Sequence, residues 1–228
     1  YHLIPIFFLK VNNLQLQAVT ACRSSMQRLR TEYRNDIRIL IGFETEHMPD
    51  LIEAQDELLA PYPIDYMILG QHFLKQERDG VYTGAPTTDE TTLQNYVDTV
   101  IAGLESGRYL YLAHPDLINY VGDAAIYERH MTRLCQYLKE HDRPIELNML
   151  GAVDGRHYPS KRFLDIASKV QNKAIIGIEN FSCRSNPAFD RSTYSKKYRK
   201  RQEKRQVIMR RRLQPLQRMS LILTGRNK

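Results

Sequence analysis

The chain has 228 residues, of which 42% are hydrophobic, and its formal net charge is +7 at pH 7. This length and hydrophobic fraction suit one globular domain with a sizeable core. No apolar run reaches the roughly 18 residues that a membrane-spanning helix needs, so none is predicted. Residues 1–9 are apolar but short and lack a basic leader, which argues against a secretory signal. The three cysteines are scattered without a CxxC pair, which favours a reducing, cytoplasmic location.

The charge is distributed unevenly along the chain. Residues 179–228 contain 15 Lys and Arg and 3 Asp and Glu, which leaves 18 of the 33 basic and 23 of the 26 acidic residues to positions 1–178. We therefore predict a folded domain over 1–183 and a disordered basic tail over 184–228. Such a tail would bind polyanions weakly and with a steep salt dependence. It has few interleaved aromatic residues, so specific nucleic-acid recognition is not expected.

The apolar pattern predicts strands and helices that alternate along the chain. After a first strand or buried loop within Tyr1–Leu9, the predicted strands are Ile37–Phe43, Asp65–Gly70, Tyr109–Ala113, Pro144–Asn148 and Lys173–Ile178. The predicted helices are Leu14–Tyr33, Pro49–Leu59, Thr88–Ser106, Ala124–His141 and Ser160–Gln171, with Thr88 or Thr91 and Ser160 as N-caps. This alternation is typical of parallel β/α units. An early strand followed by a glycine-rich turn is missing, so a barrel is favoured over a dinucleotide-binding fold.

Polar side chains follow three of the predicted strands. Glu44 and Glu46 come after the first of them, His72 after the second and His114 after the third. The carboxyl ends of parallel strands open onto one face, so these side chains are expected to meet there. A carboxylate with two imidazoles suits Zn²⁺, Mn²⁺ or Fe²⁺. We predict that Glu44, His72 and His114 form a catalytic metal site, with Glu46 in support.

Each of these residues has a simpler explanation when it is taken alone. A histidine after a strand is often a hydrogen-bonded structural residue, and Glu44 alone would suit a helix cap or an ion pair. Their occurrence at equivalent strand ends favours the metal site. A carboxylate can also bridge two metal ions, an arrangement that recurs in enzymes acting on phosphate esters.

Residues at or after the ends of the predicted strands Tyr109–Ala113 and Pro144–Asn148 extend the predicted site. Asn148 ends the fourth strand and shares a face with Glu146, and Arg156 lies in the loop that follows. We predict both Asn148 and Arg156 as substrate-binding residues, since a guanidinium can hold a phosphate through two hydrogen bonds. The simpler alternative for Arg156 is a solvated loop residue. Asp116 would either orient an imidazole or cap the following turn.

Two further histidines lie on the predicted helix Ala124–His141. His130 and His141 are predicted to be surface residues without a role in the site.

The segments IGFETEH, DYMILGQHF, YLAHPDL, IELNMLG and YPSKRFLDIA, in this order and spacing, resemble the polymerase-and-histidinol-phosphatase (PHP) superfamily. The resemblance is greatest to its histidinol-phosphatase branch and covers roughly residues 25–178. It implies an α/β fold, a distorted (β/α)7 TIM-like barrel with two or three divalent metal ions. The implied reaction converts L-histidinol phosphate and water to L-histidinol and phosphate in histidine biosynthesis. By motif, Glu44 would be the bridging carboxylate, with His72 and His114 as imidazole ligands.

The sequence departs from the family pattern at both ends. The HxH strand that opens the family has no counterpart before Glu44, and Tyr1-His2 matches only a remnant of the next motif. The resemblance therefore implies a barrel that is incomplete at its N-terminus, with His2 as a further ligand. The family's last catalytic strand ends in Asp-Ala-His, where this chain has Glu179-Asn180-Phe181. Glu179 then takes the aspartate's place as a ligand, and the C-terminus is atypical.

Three functions are consistent with these observations. The leading hypothesis is a metal-dependent phosphomonoesterase of the histidinol-phosphatase type, whose partner is a small-molecule phosphate monoester. The second is a catalytically impaired relative that binds at most one metal ion. The third is nucleic-acid association through the basic tail.

Overall fold

The computed structural model describes residues 6–10, 26–75 and 80–177. Four predicted features lie outside these residues: the ligands His2 and Glu179, the first part of the helix Leu14–Tyr33, and the basic tail 184–228. The division into a domain over 1–183 and a tail therefore stays a prediction.

The described strands are all parallel. They are β1 (Ile6–Lys10), β2 (Leu40–Thr45), β3 (Tyr66–Leu69), β4 (Ile145–Asn148) and β5 (Ala174–Gly177). One group has the order β1-β2-β3 and the other pairs β4 with β5. Because all of these strands run in the same direction, the residues that follow them collect at one edge of the sheet.

The segment 110–113 lies between β3 and β4. Leu112 forms parallel bridges with Leu69 of β3 on one side and Ile145 of β4 on the other. The Leu69 N–H donates to the Tyr111 carbonyl (3.0 Å), and the Ala113 N–H donates to the Leu69 carbonyl (2.8 Å). The predicted strand Tyr109–Ala113 thus occupies its expected place, although it pairs through isolated bridges instead of a regular ladder.

The described helices alternate with these strands. They are residues 26–32 (α1), Ile52–Leu59 (α2), Glu90–Glu105 (α3), Ala124–Glu140 (α4), Met149–Asp154 (α5) and Lys161–Val170 (α6), with a 3₁₀ turn at Pro49–Leu51 before α2. The short helix α5 was not predicted. It begins at its cap Asn148 and ends at Gly155, whose φ of 70° suits a glycine.

The N-caps of two helices test the sequence predictions. Ser160 caps α6 as predicted, because its hydroxyl accepts a hydrogen bond from the Phe163 N–H (3.2 Å). The prediction of Thr88 or Thr91 as the cap of α3 was wrong. Asp89 caps that helix, and its two carboxylate oxygens accept from the N–H groups of Thr91 (3.2 Å) and Thr92 (2.9 Å). A carboxylate offers two acceptors and a negative charge at the positive end of the helix, so it competes well with a hydroxyl.

The largest core lies between the sheet and the helices α3, α4 and α6. It contains buried side chains from the sheet and from these helices, among them Leu69, Leu112, Ile145, Val97, Met131 and Phe163. A second cluster packs β2 against α1 and α2 and includes Met26, Ile41 and Leu59. Burying these apolar side chains holds the strands, and therefore the ends that carry polar residues, in fixed register.

The prediction that His130 is a surface residue was wrong. His130 lies on the inner face of α4 beside Tyr127 and Met131, and only 8% of its surface is exposed. Its Nε2 lies 3.2 Å from Glu90 Oε1 at the start of α3, so it links two packed helices. His141, at the end of the same helix, is exposed as predicted.

A third, small cluster contains the buried side chains of Ile68, Tyr111 and Ala113. Within residues 6–10, 26–75 and 80–177, β1 and β5 do not pair, so closure into a barrel stays a prediction. Among the described helices, none has the length and apolar character needed to cross a membrane.

Candidate metal centre

Glu44, His72 and His114 converge at the carboxyl edge of the sheet. Glu44 lies near the end of β2, His72 follows β3, and His114 follows the segment 110–113. One ligand atom from each residue lies within 4.8 Å of the others. Glu44 Oε1 is 3.1 Å from His114 Nε2 and 3.5 Å from His72 Nε2. All three residues are buried, so the structure brings together the three residues that the sequence analysis grouped.

The His72 ring is held with Nε2 directed towards Glu44. Its Nδ1 lies 2.8 Å from the Gly70 carbonyl. A carbonyl oxygen only accepts hydrogen bonds, so Nδ1 carries a proton, and Nε2 is the ring nitrogen available to bind a metal ion. The Glu46 carboxylate accepts from the His72 backbone N–H (3.1 Å), and the Thr83 hydroxyl donates to the His72 carbonyl (3.0 Å). Glu46 thus lies where a supporting residue was expected.

Gly70 leaves the space that the Glu44 carboxylate occupies. A Cβ atom at Gly70 would lie 2.1 Å from Glu44 Oε1, much closer than ordinary contact allows. Glu44 pairs with Ile68 in the sheet, and Gly70 is two residues further along the same strand direction. The glycine in the segment ILGQH is therefore required by the carboxylate on the neighbouring strand.

The backbone of His114 has an uncommon conformation. Its φ is 32°, a region that residues other than glycine seldom adopt. The His114 N–H donates to Glu146 Oε2 over 2.6 Å. Its ring packs edge-on against His72, with centroids 4.8 Å apart, and lies 5.7 Å from the ring of Tyr158.

Glu146 is a residue of the site that the sequence analysis did not identify as functional. It is 2% exposed, and burial raises the pKa of its carboxyl, against the opposing effects of His114 and Asn148. The available signal was its alternation with Asn148 on β4, which places both on one face of the strand.

Asn148 and Asp116 bind neighbouring parts of the protein. Asn148 Oδ1 accepts from the Gly151 N–H (2.8 Å) and its amide donates to Glu146 Oε2 (3.2 Å). The buried Asp116 carboxylate accepts from the Ser160 N–H (2.5 Å), and burial raises its pKa. Asp116 therefore holds the start of α6. Substrate binding by Asn148 stays a prediction.

Arg156 contacts Tyr158, whose ring lies beside that of His114. Its Nη1 donates to the Tyr158 hydroxyl over 2.6 Å, and the Tyr158 ring lies beside His114. The intervening His157 has Nε2 2.7 Å from the Leu117 carbonyl. The loop after α5 is thus anchored to Leu117 through His157, and within the loop the Arg156 guanidinium is held by Tyr158.

The fold and the site together define a parallel α/β protein with a buried carboxylate and imidazole cluster at the carboxyl edge of its sheet. No protein-family model matches the sequence, and no curated protein matches it by sequence. The chain is similar in structure to a candidate histidinol phosphatase, hisK, from Listeria monocytogenes. That similarity has a TM-score of 0.56 and 18% identity and covers 78% of this chain and 76% of that one.

A second solved structure is also similar to the chain. It is histidinol phosphate phosphatase (HISK) from Lactococcus lactis subsp. lactis, in complex with Zn, L-histidinol and phosphate. The TM-score is 0.49 at 14% identity, with 71% of this chain and 65% of that chain covered. The similarity to the Listeria structure agrees with the α/β fold that the sequence motifs imply.

Proposed function

We propose that the protein is a metal-dependent phosphomonoesterase and that its substrate is L-histidinol phosphate. The observation that carries this proposal is the convergence of Glu44, His72 and His114, whose ligand atoms lie within 4.8 Å of one another at the carboxyl edge of a parallel sheet. The similarity of fold to a candidate histidinol phosphatase supports the choice of substrate. The same proposal includes a distorted (β/α)7 barrel, a cytoplasmic location and a role in histidine biosynthesis.

The three residues fit a divalent metal ion. One carboxylate and two neutral imidazoles form a donor set that suits Zn²⁺, Mn²⁺ or Fe²⁺. Nε2 of both histidines lies near Glu44 Oε1, and the protonated Nδ1 of His72 is occupied by the Gly70 carbonyl. A bound metal ion of this kind polarises phosphoryl oxygens and lowers the pKa of a coordinated water to about 7. His2 and Glu179 are proposed as further ligands, and the family site of two or three metal ions would need them.

The other residues of the site would bind and orient the substrate. Arg156 is proposed to hold phosphoryl oxygens through two hydrogen bonds, with Tyr158 limiting the positions that its guanidinium can adopt. Asn148 is proposed to contact the substrate while its Oδ1 accepts the Gly151 N–H at the start of α5. Glu46 and Thr83 keep the His72 backbone in place.

A second candidate function is that of an impaired relative with a single metal ion. Over the ranges 6–10, 26–75 and 80–177, the triad is the only group of three such side chains with convergent ligand atoms. Where the family has its Asp-Ala-His motif, the sequence has Glu179-Asn180-Phe181. One metal ion would bind the triad without the pair of ions that a full phosphatase site of this type uses.

The test measures metal content and phosphatase activity on the same protein. The metal-free protein is titrated with Zn²⁺, Mn²⁺ or Co²⁺, and the bound metal is counted by elemental analysis. Hydrolysis of L-histidinol phosphate is compared with that of p-nitrophenyl phosphate. The variants are His72→Asn and His114→Asn, and the matched control is His141→Asn, an exposed histidine at the end of α4.

The proposal expects two or more metal ions per chain and turnover that both site variants lose and the control retains. One metal ion per chain without turnover would support the second candidate. A protein that binds no divalent metal ion would refute both.

Nucleic-acid association through the basic tail stays a prediction, because residues 184–228 lie outside the described part of the chain. Deleting these residues should abolish retention on a polyanion column while the metal content stays the same.

A further inference from the structure

Glu146 on β4 has the same position relative to its neighbouring strand as Glu44 has on β2. Glu44 pairs with Ile68, and its carboxylate occupies the space above Gly70, two residues further on. Glu146 pairs with Ile175, and its carboxylate occupies the space above Gly177, also two residues further on. A Cβ atom on Gly177 would lie 1.7 Å from Glu146 Oε1. The sheet thus carries two buried carboxylates at equivalent positions, and the metal triad accounts for only one of them.

Glu146 contacts the backbone of His114. Glu146 Oε2 accepts the His114 backbone N–H at 2.6 Å and also the Asn148 amide at 3.2 Å. His114 has φ 32°, so its backbone depends on surrounding contacts to remain in a conformation that a histidine seldom adopts.

The backbone of His114 determines where its ring points. The segment 110–113 pairs through isolated bridges, so the sheet holds this strand end less completely than it holds the ends of β2 and β4. The His114 N–H comes directly after that segment and is bound by Glu146 across the interior of the site. With the backbone held there, Nε2 of the ring lies 3.1 Å from Glu44 Oε1.

We propose that Glu146 is a positioning residue that fixes the backbone of His114 and so presents the His114 imidazole to the metal ion. This role rests on the proposed function, because it assumes that His114 binds a metal. Glu146 acts through the hydrogen bond that it accepts and contributes no atom to the metal. Gly177 leaves space for the Glu146 carboxylate, as Gly70 does for the Glu44 carboxylate.

The test compares three variants in the full-length protein. Glu146→Gln keeps an acceptor oxygen of the same reach, Glu146→Ala removes the acceptor, and Gly177→Ala displaces the carboxylate without changing it. Glu140→Gln, an exposed residue at the end of α4, is the matched control. Co²⁺ affinity is measured by its absorption spectrum, and exchange of the His114 amide hydrogen is measured by NMR in the metal-free protein.

We expect Co²⁺ affinity to fall about 10–100-fold in Glu146→Ala and Gly177→Ala, the usual effect of losing a residue that orients a ligand. Glu146→Gln should restore affinity to within about threefold of the wild type, and the His114 amide should exchange faster only in the other two variants. If Glu146→Ala does not fold, Gly177→Ala and Glu146→Gln decide the question.

Two results would overturn the positioning role. One is wild-type Co²⁺ affinity in folded Gly177→Ala together with a fully protected His114 amide. The other is a loss in Glu146→Gln as large as in the alanine variant, since the negative charge would then be required and not the hydrogen bond. A wild-type protein that binds no Co²⁺ refutes the proposed function and this role with it. The amide measurement would still show whether the contact itself exists.

Discussion

Gly70→Ala should disable the metal site without altering any of its ligands. The added methyl group would occupy the position of the Glu44 carboxylate, because a Cβ there would lie 2.1 Å from Oε1 and 2.7 Å from both Cδ and Cγ. Gly70 directly follows β3, and its N–H donates to the Thr45 carbonyl of β2 (3.0 Å), so the backbone has little freedom to move away. The carboxylate is therefore the group that shifts.

The size of the shift follows from the overlap. Ordinary contact begins near 3.4 Å, so relieving a 2.1 Å approach requires the oxygen to move by the difference, about 1.3 Å. Carboxylate oxygens bind zinc at roughly 2.0–2.2 Å, and a displacement of this size removes the oxygen from the coordination sphere. We expect metal affinity to fall at least about tenfold. Phosphatase activity should fall about 100-fold, the usual consequence of a misplacement near 1 Å.

The assay combines metal titration, hydrolysis of L-histidinol phosphate and thermal unfolding. The control is Gly103→Ala on α3, where a Cβ would lie 2.9 Å from the His47 Cβ, away from the three ligands. Both variants crowd a buried position, which typically costs about 1–3 kcal/mol of stability. Only Gly70→Ala should lose metal affinity.

One outcome would refute the reasoning. If Gly70→Ala folds and binds metal with wild-type affinity, the Glu44 carboxylate does not occupy the space above Gly70 when the metal is bound. A loss of metal affinity in both variants would instead show that general crowding is responsible.

Three further predictions concern stability and reactivity. Burial, with a smaller effect from Arg108, lowers the pKa of His47 below 6.5. The unfolded chain then binds more protons than the folded one, so the free energy of unfolding should fall as the pH drops below 6.5. His47→Gln should flatten this pH dependence, measured by urea unfolding between pH 5 and 7.5. Ser160→Ala should lower the free energy of unfolding by about 1 kcal/mol and Ser160→Gly by only a few tenths, and equal losses would contradict its role as an N-cap. Burial raises the pKa of the Cys135 thiol to about 12, so a variant with the other two cysteines changed to serine should not react with a thiol reagent at pH 8 until urea unfolds it.

The sequence by itself determined the order of the elements and the residues of the triad. Strands were recognised from short apolar runs, and the residues that follow parallel strands must meet at one edge, so Glu44, His72 and His114 could be grouped before their distances were known. Ser160 was likewise predictable, since an N-cap is a local interaction between a side chain and the next turn of backbone.

Contacts between distant parts of the chain were decided only by the tertiary structure. His130 was predicted to be a surface residue of its helix, but the packing of α4 against α3 buries it beside Glu90. The contact of Glu146 with the His114 N–H joins residues that are 32 positions apart, and no local pattern encodes it.

The need for glycine at position 70 also comes from a contact between distant parts of the chain. It depends on the register of two strands and on the length of the Glu44 side chain that crosses between them. The candidate ligands could therefore be named from local sequence patterns at the ends of strands. Their orientation is set by groups that only folding brings together.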